Sequence, residues 1–179
     1  MKLSTLAVGL GVLVSLPGLY GLLKPAEFTR AARRFPRSLP WGYGLMILGA
    51  SWFLWNLNAE SISDFAAYKK WMLLGFGTLG AATCVYVPDF LAVRGLSIVL
   101  LLVGKLMLDT ARWHESQWRL FISVWAYIWI VAGMWFTISP WRLRDLILWV
   151  TANEKRIKTV CAARLVFGFF VVLLGLTVF

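Results

Sequence analysis

The sequence predicts an all-α, polytopic transmembrane bundle of about six spans arranged as three hairpins, and three observations carry that expectation. Of the 179 residues, 60% are hydrophobic and only 15% charged, with a mean hydropathy of +0.76, more apolar surface than a soluble domain buries. Apolar stretches of bilayer length recur along the chain; a hydrocarbon core of about 30 Å takes about 20 residues of helix. Three times such a stretch ends at a proline beside an aromatic residue and a basic one: Lys24-Pro25 with Phe28, Val87-Pro88-Asp89-Phe90 with Arg94, and Ser139-Pro140-Trp141-Arg142. The recurrence suggests an internal duplication, although the spacing of these prolines, 63 and then 52 residues, is unequal.

The first span is expected over Leu3–Leu23. Its run is longer than the hydrophobic region of a secretory signal, contains Pro17 and leads into a basic loop, so it reads as a retained helix. In the link 24–40, Phe28, Ala31, Ala32 and Phe35 recur at helical spacing among Arg30, Arg33, Arg34 and Arg37, which describes a short amphipathic helix. The second span follows over Trp41–Leu57. The third and fourth, Trp71–Val87 and Leu91–Leu108, are divided only by Pro88-Asp89, and proline disfavours helical geometry in the residue before it. Trp118–Ile138 is the fifth. The link 139–159 places Leu143, Leu146, Ile147 and Val150 in a stripe beside Arg142, Arg144 and Asp145, with Ser139 and Pro140 as cap and first turn. Val160–Phe179 closes a single membrane domain, 1–179, whose hairpins cover 1–58, 71–110 and 118–179.

Lysine and arginine stay preferentially on the cytoplasmic side of short loops. Lys24, Arg30, Arg33, Arg34, Arg37, Arg94, Arg142, Arg144, Lys155, Arg156, Lys158 and Arg164 share one side, against Lys2, Lys69, Lys70, Arg112 and Arg119 on the other. The proline corners are therefore expected in the cytoplasm, with both termini on the other side, and the net charge of +10 reads as a topology signal. Arg30, Arg33, Arg34, Arg37, Arg142 and Arg144 would meet anionic lipid headgroups, each adding about 1 kcal/mol. Membrane lipids and other membrane subunits are the expected partners; nucleic acid is not.

Candidate sites are few. Most of the 11 tryptophans fall at helix ends, as interfacial belts do. Trp118, Trp125, Trp129 and Phe136 share a face of the fifth span, which suits lipid or a neighbouring subunit and, less readily, a flat hydrophobic ligand. Gly75, Gly77 and Gly80 spell a dinucleotide-like G-x-G-x-x-G, but inside a span that pattern lacks its strand and turn. With Ala81 these residues read instead as a close-packing helix face. Lys105, one turn before Asp109, is the ionisable residue deepest in a span; it either snorkels and pairs with Asp109 or marks a transport path.

Enzyme chemistry finds little material. His114 is the single histidine, Cys84 and Cys161 have no paired spacing, and no carboxylate pair lies within a span. No cofactor or metal is expected. The segment Gly133 to Gly175, with Ser139-Pro140-Trp141-Arg142, Thr151 and Arg164, resembles a group of very small two-helix bacterial inner-membrane proteins of uncharacterised function. The resemblance implies a bacterial inner-membrane setting and a hairpin with an amphipathic link, and implies no catalytic residues. The functional expectation is a non-catalytic accessory, scaffold or assembly subunit of a larger membrane complex; the alternative is a small transporter or channel with Lys105 in its path.

Overall fold

A computed structural model describes residues 2–60, 63–114 and 116–179, with the backbone alone at 63–65. Eight α-helices follow in order: α1 Leu3–Leu23, α2 Pro25–Arg34, α3 Leu39–Ala59, α4 Lys69–Tyr86, α5 Leu91–Ala111, α6 Arg119–Ile138, α7 Trp141–Val150 and α8 Glu154–Thr177. The expected segments reappear within a few residues, except that α8 begins earlier, where the Asn153 side chain accepts from the Lys155 amide. Prolines open α2 and α3 in the first turn, where a missing N–H costs nothing. Both amphipathic links are helical, as α2 and α7.

Four helices, α1, α5, α6 and α8, are long and apolar enough to cross a membrane. The six-span count is thus supported for four. Helices α3 and α4, 21 and 18 residues long, have sufficient length. Their shortfall is compositional: Asn56, Asn58, Tyr43 and three tryptophans in α3, and Lys69, Lys70, three glycines and two threonines in α4.

The three sequential hairpins are not what the helices form. The most extensive pairing joins the first helix to the last, α1 to α8, followed by α5 with α6 and α3 with α5; α4 packs on α3. Glycine explains the choice. A Cβ added at Gly11 would stand 2.7 Å from the Gly168 carbonyl oxygen and from a Val172 methyl, so the α1 and α8 backbones nearly touch. Across α3 and α5, a Cβ at Gly95 would lie 2.8 Å from the Met46 amide nitrogen. In α6, one at Gly133 would lie 3.1 Å from the Ser97 carbonyl of α5. Lipid tails are as apolar as leucine, so burial does not drive association here. Helices pair where backbones come close enough for dense van der Waals contact.

The same contacts fix direction. Gly42 meets Leu91, Gly95 meets Leu45 and Gly49 meets Ile98, so α3 and α5 run parallel and in step. Helices α1 and α8 are antiparallel, as are α5 and α6. The buried core lies at the end away from the proline corners. It joins Leu6 and Leu10 of α1, Met107 of α5, Ile122 and Trp125 of α6, and Val171 of α8.

The close-packing role expected of Gly75, Gly77, Gly80 and Ala81 falls to these other glycines. Around Gly75 a Cβ would meet nothing within 4 Å; at Gly77 and Gly80 it would make ordinary contacts of 3.9 and 3.7 Å with Leu54 and Ala50 of α3. Ala81 is exposed. Gly11→Leu should therefore destabilise the protein by about 1–3 kcal/mol, the usual cost of overpacking, while Gly9→Leu, at a position with open space, should be near neutral. Thermal unfolding in detergent tests this, and equal melting of the two variants would refute the glycine contact as the basis of the α1–α8 pair.

Candidate functional site

The three proline corners meet at one end of the molecule. Phe90 is the hinge between α4 and α5 and the one non-glycine residue with positive φ (55°) among the described residues, a left-handed conformation uncommon outside glycine, asparagine and aspartate. Its ring is buried. The guanidinium of Arg37, from the first corner, sits 5.6 Å from the ring centroid, and that of Arg144, from the third, 6.0 Å away. Two cations over one buried ring hold the strained residue and gather the corners. Arg144 also pairs with Asp145 at 2.9 Å.

Helices α2 and α7 lie against each other at this end. Arg33 donates from Nε to the Thr151 hydroxyl at 2.9 Å and from a terminal nitrogen to the Thr151 carbonyl at 2.7 Å. This satisfies an orphan carbonyl at the end of α7. Phe28, Ala32 and Phe35 of the first link face Leu143, Leu146 and Ile147 of the second around a cavity of about 510 Å³ that reaches Cys161 and Arg164. The apolar stripes read in the sequence thus face a shared hollow over α1 and α8. Arg30, Arg34 and Arg142 are exposed. At the first corner the Tyr20 hydroxyl donates to Glu27 at 2.9 Å and Lys24 approaches at 3.3 Å; these hold the Glu27 carboxyl below the usual carboxylate range.

A second hollow, about 600 Å³, opens between α3, α4 and α5. It exists because α3 packs on both α4 and α5 while α4 and α5 diverge from their corner. Its walls are apolar: Met46, Ala50 and Phe53 from α3, Phe76 and Leu79 from α4, Ile98 and Leu102 from α5. Arg94 borders one end and Lys105 the other. Lys105 binds Asp109 at 2.6 Å and Glu60 at 3.4 Å, so its charge is matched twice. Sequence reasoning found the Asp109 partner but missed Glu60, which belongs to the end of α3 and comes near only because α3 and α5 run in step.

The expected aromatic face is divided. Trp125 is 7% exposed, meets Trp129 edge-on at 5.3 Å and packs on Phe167 of α8 at 5.1 Å. Trp129 rests against the same core, Phe136 is half-buried, and Trp118 is exposed. Trp125 therefore joins α6 to α8, with Trp129 packed against it. His114 accepts from the Ser116 amide at 3.2 Å and its ring meets Phe179 at 5.4 Å. Cys161 is buried and Cys84 half-buried, both free. Among the described residues, no cluster of three histidine, cysteine or carboxylate groups is placed to hold a metal.

Comparison with protein-family models, with curated proteins and with solved structures returns no match.

Replacing Arg33 with methionine removes both hydrogen bonds to Thr151 and should cost about 1 kcal/mol. A spin label at the exposed Leu148 should gain mobility as α7 loosens. Unchanged mobility would mean that apolar packing alone docks α7.

Proposed function

We propose that the protein is a multi-pass bacterial inner-membrane protein acting as a non-catalytic accessory or scaffold subunit of a larger membrane assembly. In this reading α3 and α4 complete six crossings. Helix α3 runs parallel to and in step with α5, Gly42 beside Leu91 and Gly49 beside Ile98, so a bilayer that takes α5 takes α3 at the same depth. Helix α4 lies antiparallel on α3 and shares that depth. The surplus of lysine and arginine at the proline corners supports a cytoplasmic position for that end, with both termini on the other side.

The observation that carries the subunit reading is the situation of α4. It has a substantial contact with one long helix only, and its composition is too polar for a self-sufficient span. Its outer face shows Trp71, Gly75, Thr78 and Ala81 beside the exposed Leu74 and Val85, a lane of small residues flanked by larger apolar ones. Small residues suit backbone approach by another helix better than they suit lipid. A partner helix seated there would replace lipid with close contact. The double pairing of Lys105 favours a clasp between the ends of α3 and α5 over a transport site.

Extraction in a mild detergent followed by native mass spectrometry should yield a particle with a stoichiometric partner chain. Gly75→Leu, which meets nothing inside the protein, should release that partner without changing the fold, whereas Lys105→Met should leave it bound. A monomer or a homo-oligomer alone would overturn the reading, as would full retention of the partner by Gly75→Leu and an Ala81→Leu variant together.

A further inference from the structure

The hollow between α3, α4 and α5 has walls and ends of different chemistry. Along its length the lining is mainly aliphatic and aromatic, with Asn56, Thr83 and Thr137 among it. At the corner end lies Arg94, whose Nε is buried and has no hydrogen-bond partner among the described residues. A desolvated guanidinium nitrogen left without an acceptor is costly. The protein supplies such acceptors elsewhere: Arg33 has Thr151 and Arg144 has Asp145. Arg37 and Arg144 sit over the ring of Phe90, four residues before Arg94 on the chain, so further cations gather at this end of the protein. The far end carries no such demand, because Lys105 is matched by Asp109 and Glu60.

Length narrows the occupant further. Arg94 and Lys105 are eleven residues apart on one helix, about 16 Å at the rise of an α-helix, close to half the thickness of a bilayer core. A molecule that fits has one anionic group at its end and an apolar tail reaching across one leaflet. We infer that this groove binds one acyl chain of an anionic phospholipid, with the phosphate accepting from Arg94 at the proline-corner end. Arginine suits the role because its planar fork donates two parallel bonds to a phosphate. Thr83 and Thr137, which also line the groove, bond to their own helices through Leu79 and Gly133 carbonyls, so specificity rests on the charge. The site goes beyond the subunit reading and does not depend on it, since it is formed by this chain alone.

The test uses the full-length protein reconstituted in vesicles of equal parts phosphatidylglycerol and phosphatidylcholine, extracted gently and weighed by native mass spectrometry. The expected result is one retained phosphatidylglycerol per chain in preference to phosphatidylcholine. Arg94→Gln should cut that preference roughly tenfold, the worth of a charge-assisted hydrogen bond to phosphate, while Arg94→Lys keeps part of it. Ala50→Trp fills the groove between α3 and α4 without touching charge and should abolish retention of either lipid. Equal retention of the two lipids by the wild type, or an unchanged preference in Arg94→Gln, overturns the proposal. If Arg94→Gln does not fold, the Ala50→Trp result decides: retained phosphatidylglycerol overturns the site. Protection of the groove by a segment of a partner chain that excludes lipid also overturns it.

Discussion

Close approach of helix backbones at glycine is the contact on which this bundle depends. In water, an apolar face finds its partner because burial removes it from solvent; in a bilayer that drive is absent. What remains is packing density, and a glycine gains density by removing the side chain that keeps two backbones apart. Gly11 with Gly168, Gly95 with Met46, and Gly133 with Ser97 join five helices through three such contacts. The seven-residue spacing of Gly11 and Gly18, of Gly42 and Gly49, and of Gly168 and Gly175 places each pair two turns apart on one face. A run of close contact then continues along the helix.

The proline-corner end works differently, with polar and cation–π contacts replacing backbone approach. Phe90 holds an uncommon backbone conformation and a buried ring, and arginines from the other two corners cover that ring. Arg33 reaches α7 in the same region. The end is consequently a collar of amphipathic helices tied to the hinge between α4 and α5. The groove that Arg94 borders opens beside this collar, between α3, α4 and α5.

Helices α3 and α4 show how composition and position can disagree. Each is long enough to span, yet neither is apolar enough to do so by the measure its neighbours meet. Asn56, Glu60 and Lys105 gather where α3 ends beside α5, which gives the polar part of α3 a partner within the protein. The outer face of α4 has no such partner among the described residues.

Much of the secondary structure was legible in the sequence, because apolar run length, proline position and arginine spacing are local signals. The corners at Pro25, Pro88 and Pro140, the amphipathic links, and the pairing of Lys105 with Asp109 all follow from residues within a few turns of one another. Pairing between helices was not legible. Lipid and protein interior are equally apolar, so the pattern that marks a residue as away from water does not say which neighbour it meets. Thus the sequence by itself determined most helix boundaries, the early start of α8 excepted, while the tertiary structure decided that α1 joins α8, that Gly168 is what Gly11 meets while Gly77 and Gly80 make only ordinary contacts, and that Trp125 faces Phe167 instead of the membrane. The physical reason is that these choices rest on steric fit between segments far apart in the chain, a property of two surfaces that no single stretch of residues contains.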